Sequence, residues 1–111
     1  MADRLESKIQ REIIDMLVLK GWYVINMPGN ASISGFPDLF ATHSQCGMRL
    51  IEVKRPMMKG SRFTSAQHDK FPKIIANGTP IFILTAGTAT EYNKLFKPSN
   101  YWQYANGHFM N

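Results

Sequence analysis

Two short segments, Gly35-Phe36-Pro37-Asp38 and Glu52-Val53-Lys54, constrain this 111-residue chain more than any other feature. Each adjoins an apolar run that reads as a strand, Leu39-Phe40-Ala41-Thr42 and Met48 to Lys54. Side chains alternate along a strand, so Ile51 and Val53 face one way while Glu52 and Lys54 face the other. A turn at Gln45-Cys46-Gly47 folds the two runs into a hairpin and brings Asp38 beside Glu52. Two carboxylates at one spot repel unless a cation neutralises them, and oxygen donors of this kind suit Mg²⁺ or Mn²⁺. A lysine at the same spot can stabilise charge developing on a phosphoryl group, or orient and activate a water. The expectation is a metal-dependent phosphodiester-cleaving site. Glu-x-Lys can equally be a solvated strand face, and Pro-Asp a turn start. The ordered combination is more specific than either half.

An opening helix is expected from Ala2 or Asp3 to Lys20, with Gly21 as its C-terminal cap. At about 100° per residue, Leu5, Ile9, Ile13, Met16 and Leu17 fall within an arc of roughly 120°. Glu6 lies inside that arc. A carboxylate there is either paired or metal-linked, or it sits at the helix start, complements the dipole and reaches solvent. Gln10 lies one turn on, while Ile14 and Val18 fall off the arc and call for cover from the C-terminal segment or a partner subunit. Trp22 to Met27 reads as a strand. Pro28 to Gly35 reads as a loop bordering Asp38, in which Asn30, Ser32 and Ser34 either contact phosphate or merely connect.

After Lys54, Pro56 ends the strand. Arg55, Lys59 and Arg62 then share a loop with Gly60, read here as a DNA-backbone surface in preference to a solvated loop. Thr64 or Ser65 caps a helix running to Asn77-Gly78, in which Pro72 implies a kink or a break near Phe71. Gln67 falls in its first turn, within reach of a metal-bound water or a phosphate, or else on the surface. His68 and Lys70 are expected to face solvent or DNA. Pro80 to Thr85 reads as a strand buried on both faces and parallel to the second hairpin strand. Thr88 to Phe96 suits a closing helix. The aromatic segment from Tyr101 to Phe109 suits a small hairpin over the core or a subunit contact.

Gly-x-Pro-Asp followed by Glu-x-Lys resembles the PD-(D/E)XK nuclease superfamily. Gly60 to Gln67, with its glycine, hydroxyls and glutamine, and Glu6 with Gln10 on the first helix, are similar to motifs of its VRR-Nuc (virus-type replication-repair nuclease) family. The resemblance covers about Glu6 to Thr85. It implies an α/β fold of order α-β-β-β-α-β with a mixed sheet flanked by helices. It further implies Mg²⁺ or Mn²⁺ held by Asp38, Glu52 and the Val53 carbonyl, with Glu6 contributing directly or through water. Lys54 would position the attacking water and Gln67 would support the site. Stand-alone members of this size are often phage-encoded, and the resemblance implies a homodimer acting on branched DNA such as four-way junctions. A non-catalytic DNA-binding module or a restriction-type nuclease on the same fold are the alternatives.

The totals fit one domain, with a core of about 3–96 and a tail of 97–111. A net charge of +5 favours a polyanionic partner, although a ribosomal-type protein or a membrane-surface binder would share it. The single cysteine, Cys46, excludes an internal disulfide and suits a cytoplasmic setting. His43, His68 and His108 show no zinc spacing, and no apolar run approaches a membrane span.

Overall fold

The computed structural model describes residues 4–27 and 34–107. The element order is α1 (Arg4–Leu19), β1 (Tyr23–Asn26), β2 (Leu39–His43), β3 (Gly47–Val53), a 3₁₀ turn (Pro56–Met58), α2 (Ser65–Ala76), β4 (Ile81–Leu84), α3 (Ala89–Asn93), a 3₁₀ turn (Lys94–Phe96) and α4 (Tyr101–Ala105). The α-β-β-β-α-β order expected from the sequence is therefore present, the expected closing helix appears as α3 and the 3₁₀ turn that follows it, and α4 is added. Among the described residues no helix is long and apolar enough to cross a membrane.

The four strands form one sheet in the order β1-β2-β3-β4. β1 with β2 and β2 with β3 are antiparallel, whereas β4 returns through α2 to lie parallel to β3. Because both faces of the centre are covered, every residue from Leu50 to Lys54 is buried. One core cluster joins Ile9, Ile13 and Leu17 of α1 to Leu39, Ile51, Val53 and Leu84. The other lies on the opposite face, where Phe63, Phe71, Tyr101 and Tyr104 cover Leu50, Ile81 and Ile83.

Three expectations change. Leu5, inside the predicted core arc, is exposed, because the buried stripe of α1 begins at Ile9. Pro72 neither breaks nor ends α2, which runs unbroken from Ser65 to Ala76. Phe71 and the neighbouring Ile74 and Ile75 anchor that helix on the second cluster on both sides of the proline. The aromatic C-terminal segment is a helix within the described residues, not a hairpin, and Tyr101 and Tyr104 are buried in the chain's own core. It covers the α2 side of the sheet. Ile14 is half-covered by the first cluster, and Val18 remains exposed.

The C-terminal segment also closes one sheet edge. Asn100 Oδ1 accepts the Ile83 N–H at 2.7 Å, and its Nδ2 donates to the Ile83 carbonyl at 3.0 Å. The Ser99 hydroxyl donates to the Ile81 carbonyl. These side chains act as a missing neighbour strand, which is how an edge is kept from pairing with another chain. Asn100→Ala leaves two Ile83 backbone groups without these partners. It is expected to lower unfolding free energy on the order of 2 kcal/mol, read as a fall in the urea midpoint. An unchanged midpoint would show that water replaces the amide fully.

Candidate active site

The hairpin register sets the geometry. Leu39 pairs with Ile51, so Asp38, one step before β2, falls opposite Glu52. Asp38 Oδ2 accepts the Val53 N–H at 2.8 Å, standing in for the ladder partner that β2 no longer supplies. An extended residue points its N–H and C=O to the same edge. The Val53 carbonyl therefore faces the edge on which Asp38 stands. Gly35 explains the spacing of Gly-x-Pro-Asp. It has φ of 83°, and a Cβ there would lie 2.7 Å from the carbonyl carbon of Ala66. Only glycine lets this loop rest on the first turn of α2 and bring Asp38 in beside it.

That first turn supplies the third side of the site. Thr64 Oγ1 accepts the Gln67 N–H at 3.1 Å, and Gln67 Oε1 accepts the Thr64 N–H at 3.0 Å, a reciprocal capping box. The cap fixes the Gln67 side chain so that its Nε2 donates to Glu52 Oε2 at 2.8 Å. Gln67 is buried and holds Glu52. It is neither a surface residue nor one aimed at solvent. Lys54 Nζ lies 3.3 Å from Glu52 Oε2, 3.2 Å from Gln67 Oε1 and 2.8 Å from the Arg62 carbonyl, so all three ammonium protons have acceptors. It also stands 4.9 Å from the centre of the Phe63 ring. Glu52 and Lys54 are 2% and 4% exposed, which excludes the solvated-face alternative.

Burial dominates the electrostatics. It pushes the Glu52 carboxyl up from 4.5 to about 8, with the Asp38 charge adding to the rise and Lys54 and Gln67 opposing it. Asp38 is raised too, first by burial, against the Val53 N–H, Lys54 and a hydrogen bond with Glu52. A buried ion pair is usually outweighed by the desolvation of its partners, and one lysine does not offset two buried carboxyls. Glu52 Oε1 is buried and has no hydrogen-bond partner. An orphaned hard oxygen beside a second raised carboxyl is the donor set that a divalent cation satisfies. The residues present therefore fit Mg²⁺ or Mn²⁺.

The remaining candidates are spread around this centre. Glu6 is half-buried in the first turn of α1. Among the described residues no three carboxylate, histidine or cysteine side chains gather closely enough to hold a metal, so Glu6 does not join Asp38 and Glu52 in one direct cluster. Gln10 instead donates to Asn26 Oδ1 at 2.7 Å, tying α1 to the end of β1. Asn30 and Ser32 lie outside the described residues. Ser34, Lys59, Arg62 and His68 are exposed, and Arg55 and Lys70 half-buried. His68 also shares a 3.0 Å hydrogen bond with the Tyr101 hydroxyl. Sequence reasoning did not single out Thr64 and Phe63 as part of the site. The Thr64-x-x-Gln67 spacing is itself a capping-box signature and could have placed the first.

No family model and no curated protein matches the sequence. A solved structure described as a VRR_NUC domain is similar to it, with a TM-score of 0.67 and 18% identity over 85% of this chain and 96% of that one. The fold is that of the VRR-Nuc domain, a mixed four-stranded sheet flanked by helices.

Two outcomes follow from the site itself. Gly35→Ala is expected to destabilise the chain by more than about 1 kcal/mol, since it adds a left-handed penalty to a steric clash, and denaturant unfolding measures this directly. The Glu52 carboxyl has a folded value above its unfolded one, so between about pH 4.5 and 8 the folded chain holds the extra proton. Its contribution to metal-free stability is complete below that range and is lost as pH rises through it, by up to about 1.4 kcal/mol per pH unit. Thermal unfolding in EDTA across this range should show the slope, and Glu52→Gln should flatten it. An equal slope in both proteins would assign it elsewhere.

Proposed function

We propose that this protein is a metal-dependent DNA endonuclease that hydrolyses phosphodiester bonds, with a preference for branched DNA such as four-way junctions. The observation that carries the reading is the buried Asp38–Glu52 pair, with both carboxyls raised, one oxygen orphaned, and Lys54 and Gln67 fixed against it. A binding module has no use for two buried acids facing phosphate. The likeness of fold to a VRR_NUC domain supports the same chemistry.

Asp38, Glu52 and the Val53 carbonyl would hold Mg²⁺ or Mn²⁺, with Glu6 reaching the site through water. Bound there, the cation would supply Lewis-acid charge and a water of lowered pKa. Gln67 keeps the Glu52 carboxylate in one orientation, acting through it. Lys54 supplies a fixed positive charge toward the phosphoryl group. Its Glu52 contact, the longest of its three at 3.3 Å, is the one most readily exchanged for a phosphate oxygen. Lys59, Arg62, His68 and Lys70, with Arg55 and the loop bearing Asn30, Ser32 and Ser34, would carry the DNA backbone.

A homodimer would set two such sites at a fixed separation, as paired incisions across a junction require. With Tyr101 and Tyr104 in the chain's own core, its contact moves to the exposed Val18 and Leu19 at the end of α1 and Tyr23 and Ile25 on the edge strand β1. A DNA substrate and a free Cys46 thiol both suit a cytoplasmic setting, such as a phage-infected cell.

Asp38→Asn and Glu52→Gln should each abolish cleavage of a labelled junction while leaving the protein folded, and excess EDTA should do the same to the parent protein. Cleavage surviving in the folded variants would remove these residues from the mechanism. Tight binding with no cleavage in Mg²⁺ or Mn²⁺ would favour a non-catalytic module. Light scattering at micromolar concentration tests the dimer, and Tyr23→Glu should dissociate it.

A further inference from the structure

The loop after β3 is tied to one side chain at both ends. It leaves directly after Lys54 and returns where the Arg62 carbonyl accepts a hydrogen bond from Lys54 Nζ at 2.8 Å. Within it, Met57 and Met58 have φ of 58° and 60°, the positive-φ non-glycine residues of the described chain. L side chains rarely adopt this left-handed backbone, and two in succession are strained. The conformation is fixed from several directions. Met58 N–H donates to the Arg55 carbonyl at 2.9 Å, and Ser61 N–H to the Met58 carbonyl at 3.0 Å. Ser61 Oγ accepts the Arg55 N–H at 3.1 Å. The Arg55 guanidinium lies so close to Gly60 that a Cβ there would come within 2.4 Å of Nη1.

This strained turn separates the two methionines. Met58 packs against the second core cluster, while Met57 is 49% exposed. Anchoring the loop needs only Met58, so core packing does not explain the presentation of Met57. Strained backbone persists where its surroundings over-determine it, and it concentrates at ligand-contacting positions. Here it holds a flexible, polarisable apolar side chain in solvent, on a loop that carries the exposed cations Lys59 and Arg62. DNA-bending proteins insert apolar side chains of this kind, methionine among them, between base steps. Unstacking is least costly where the base stack is already interrupted.

We infer that Met57 is a wedge that enters an interrupted base step next to the phosphate to be cleaved, while Lys59 and Arg62 grip the flanking backbone. The inference rests on the DNA-cleaving reading and deepens it. It names the substrate class as DNA with a broken stack, such as a nick, a mismatch or a branch, in preference to continuous duplex. Recognition is then of an open base step and not of a base sequence.

The test uses the full chain carrying Asp38→Asn, in which an amide oxygen can still accept the Val53 N–H. The probes are a nicked duplex with 2-aminopurine beside the nick and the same duplex without the nick. The single variant should bind the nicked duplex several-fold more tightly and raise its 2-aminopurine emission. Adding Met57→Gly, which accepts the left-handed backbone without strain, should keep or raise the melting temperature. It should also abolish the emission change and bring affinity for the nicked duplex down to that for the continuous one. Adding Met57→Leu instead should restore both signals. An emission rise that persists with glycine, no rise in the single variant despite binding, or equal loss of binding to both duplexes would overturn the wedge. Failure of the single variant to bind either duplex would remove the DNA reading itself.

Discussion

The contact on which the rest of this structure depends is the one between Gln67 and Glu52. It joins the first turn of α2 to the centre of the sheet through a single 2.8 Å hydrogen bond. The same glutamine side chain caps its own helix, so helix start and carboxylate orientation are set by one rotamer. Gly35 presses against Ala66 one residue before Gln67, which brings the loop carrying Asp38 to the same turn. Lys54 closes the arrangement by bonding Glu52, Gln67 and the Arg62 carbonyl. Two sequence-distant segments, the Gly35–Asp38 loop and the first turn of α2, therefore converge on one acid at the end of β3.

Coverage of the sheet follows from where that acid must sit. From Leu50 onward β3 is buried on both faces, by α1 on one side and by α2 with α4 on the other. Side chains from the segment before α4 close the β4 edge, where Asn100 meets both backbone groups of Ile83. The opposite edge, β1, has no such cover among the described residues, and Tyr23 and Ile25 project from it into solvent. The two edges are thus treated differently. One is finished within the chain, and the other keeps an apolar surface available to a second molecule.

Much of this was legible in the sequence, because it depends on local rules. The turn at Gln45-Cys46-Gly47 and the period-2 pattern of two apolar runs suffice to place Asp38 opposite Glu52. The nearly all-apolar run after Pro80 suffices to identify a strand buried on both faces. What was not legible depends on tertiary contact. Leu5 fits the helical stripe, but its position at the end of α1 leaves it exposed. Pro72 reads as a break, yet burial of Phe71 and packing on both sides keep α2 whole. Tyr101 and Tyr104 are as aromatic as an interface residue, and only their contacts with Phe71 and Lys94 reveal that they complete the chain's own core. The left-handed backbone at Met57 and Met58 carries no composition signal at all, since nothing in Pro-Met-Met-Lys-Gly requires it.

The balance of energies at the centre bears on what the site is for. A folded core gains most from apolar packing, and an acid with an unpartnered oxygen in its interior works against that gain. Here the cost is compounded, because Asp38 adds a second raised carboxyl and the nearby lysine fails to bring Glu52 back to its ordinary value. A well-packed apolar pair at these two positions would give a more stable domain. The chain instead surrounds the acids with a capped helix turn, a glycine that no other residue could replace without strain, and a fully engaged lysine. Local choices that oppose stability while their surroundings are built to hold them are the mark of a functional centre. They are the grounds on which we propose Asp38 and Glu52 as the centre of its chemistry.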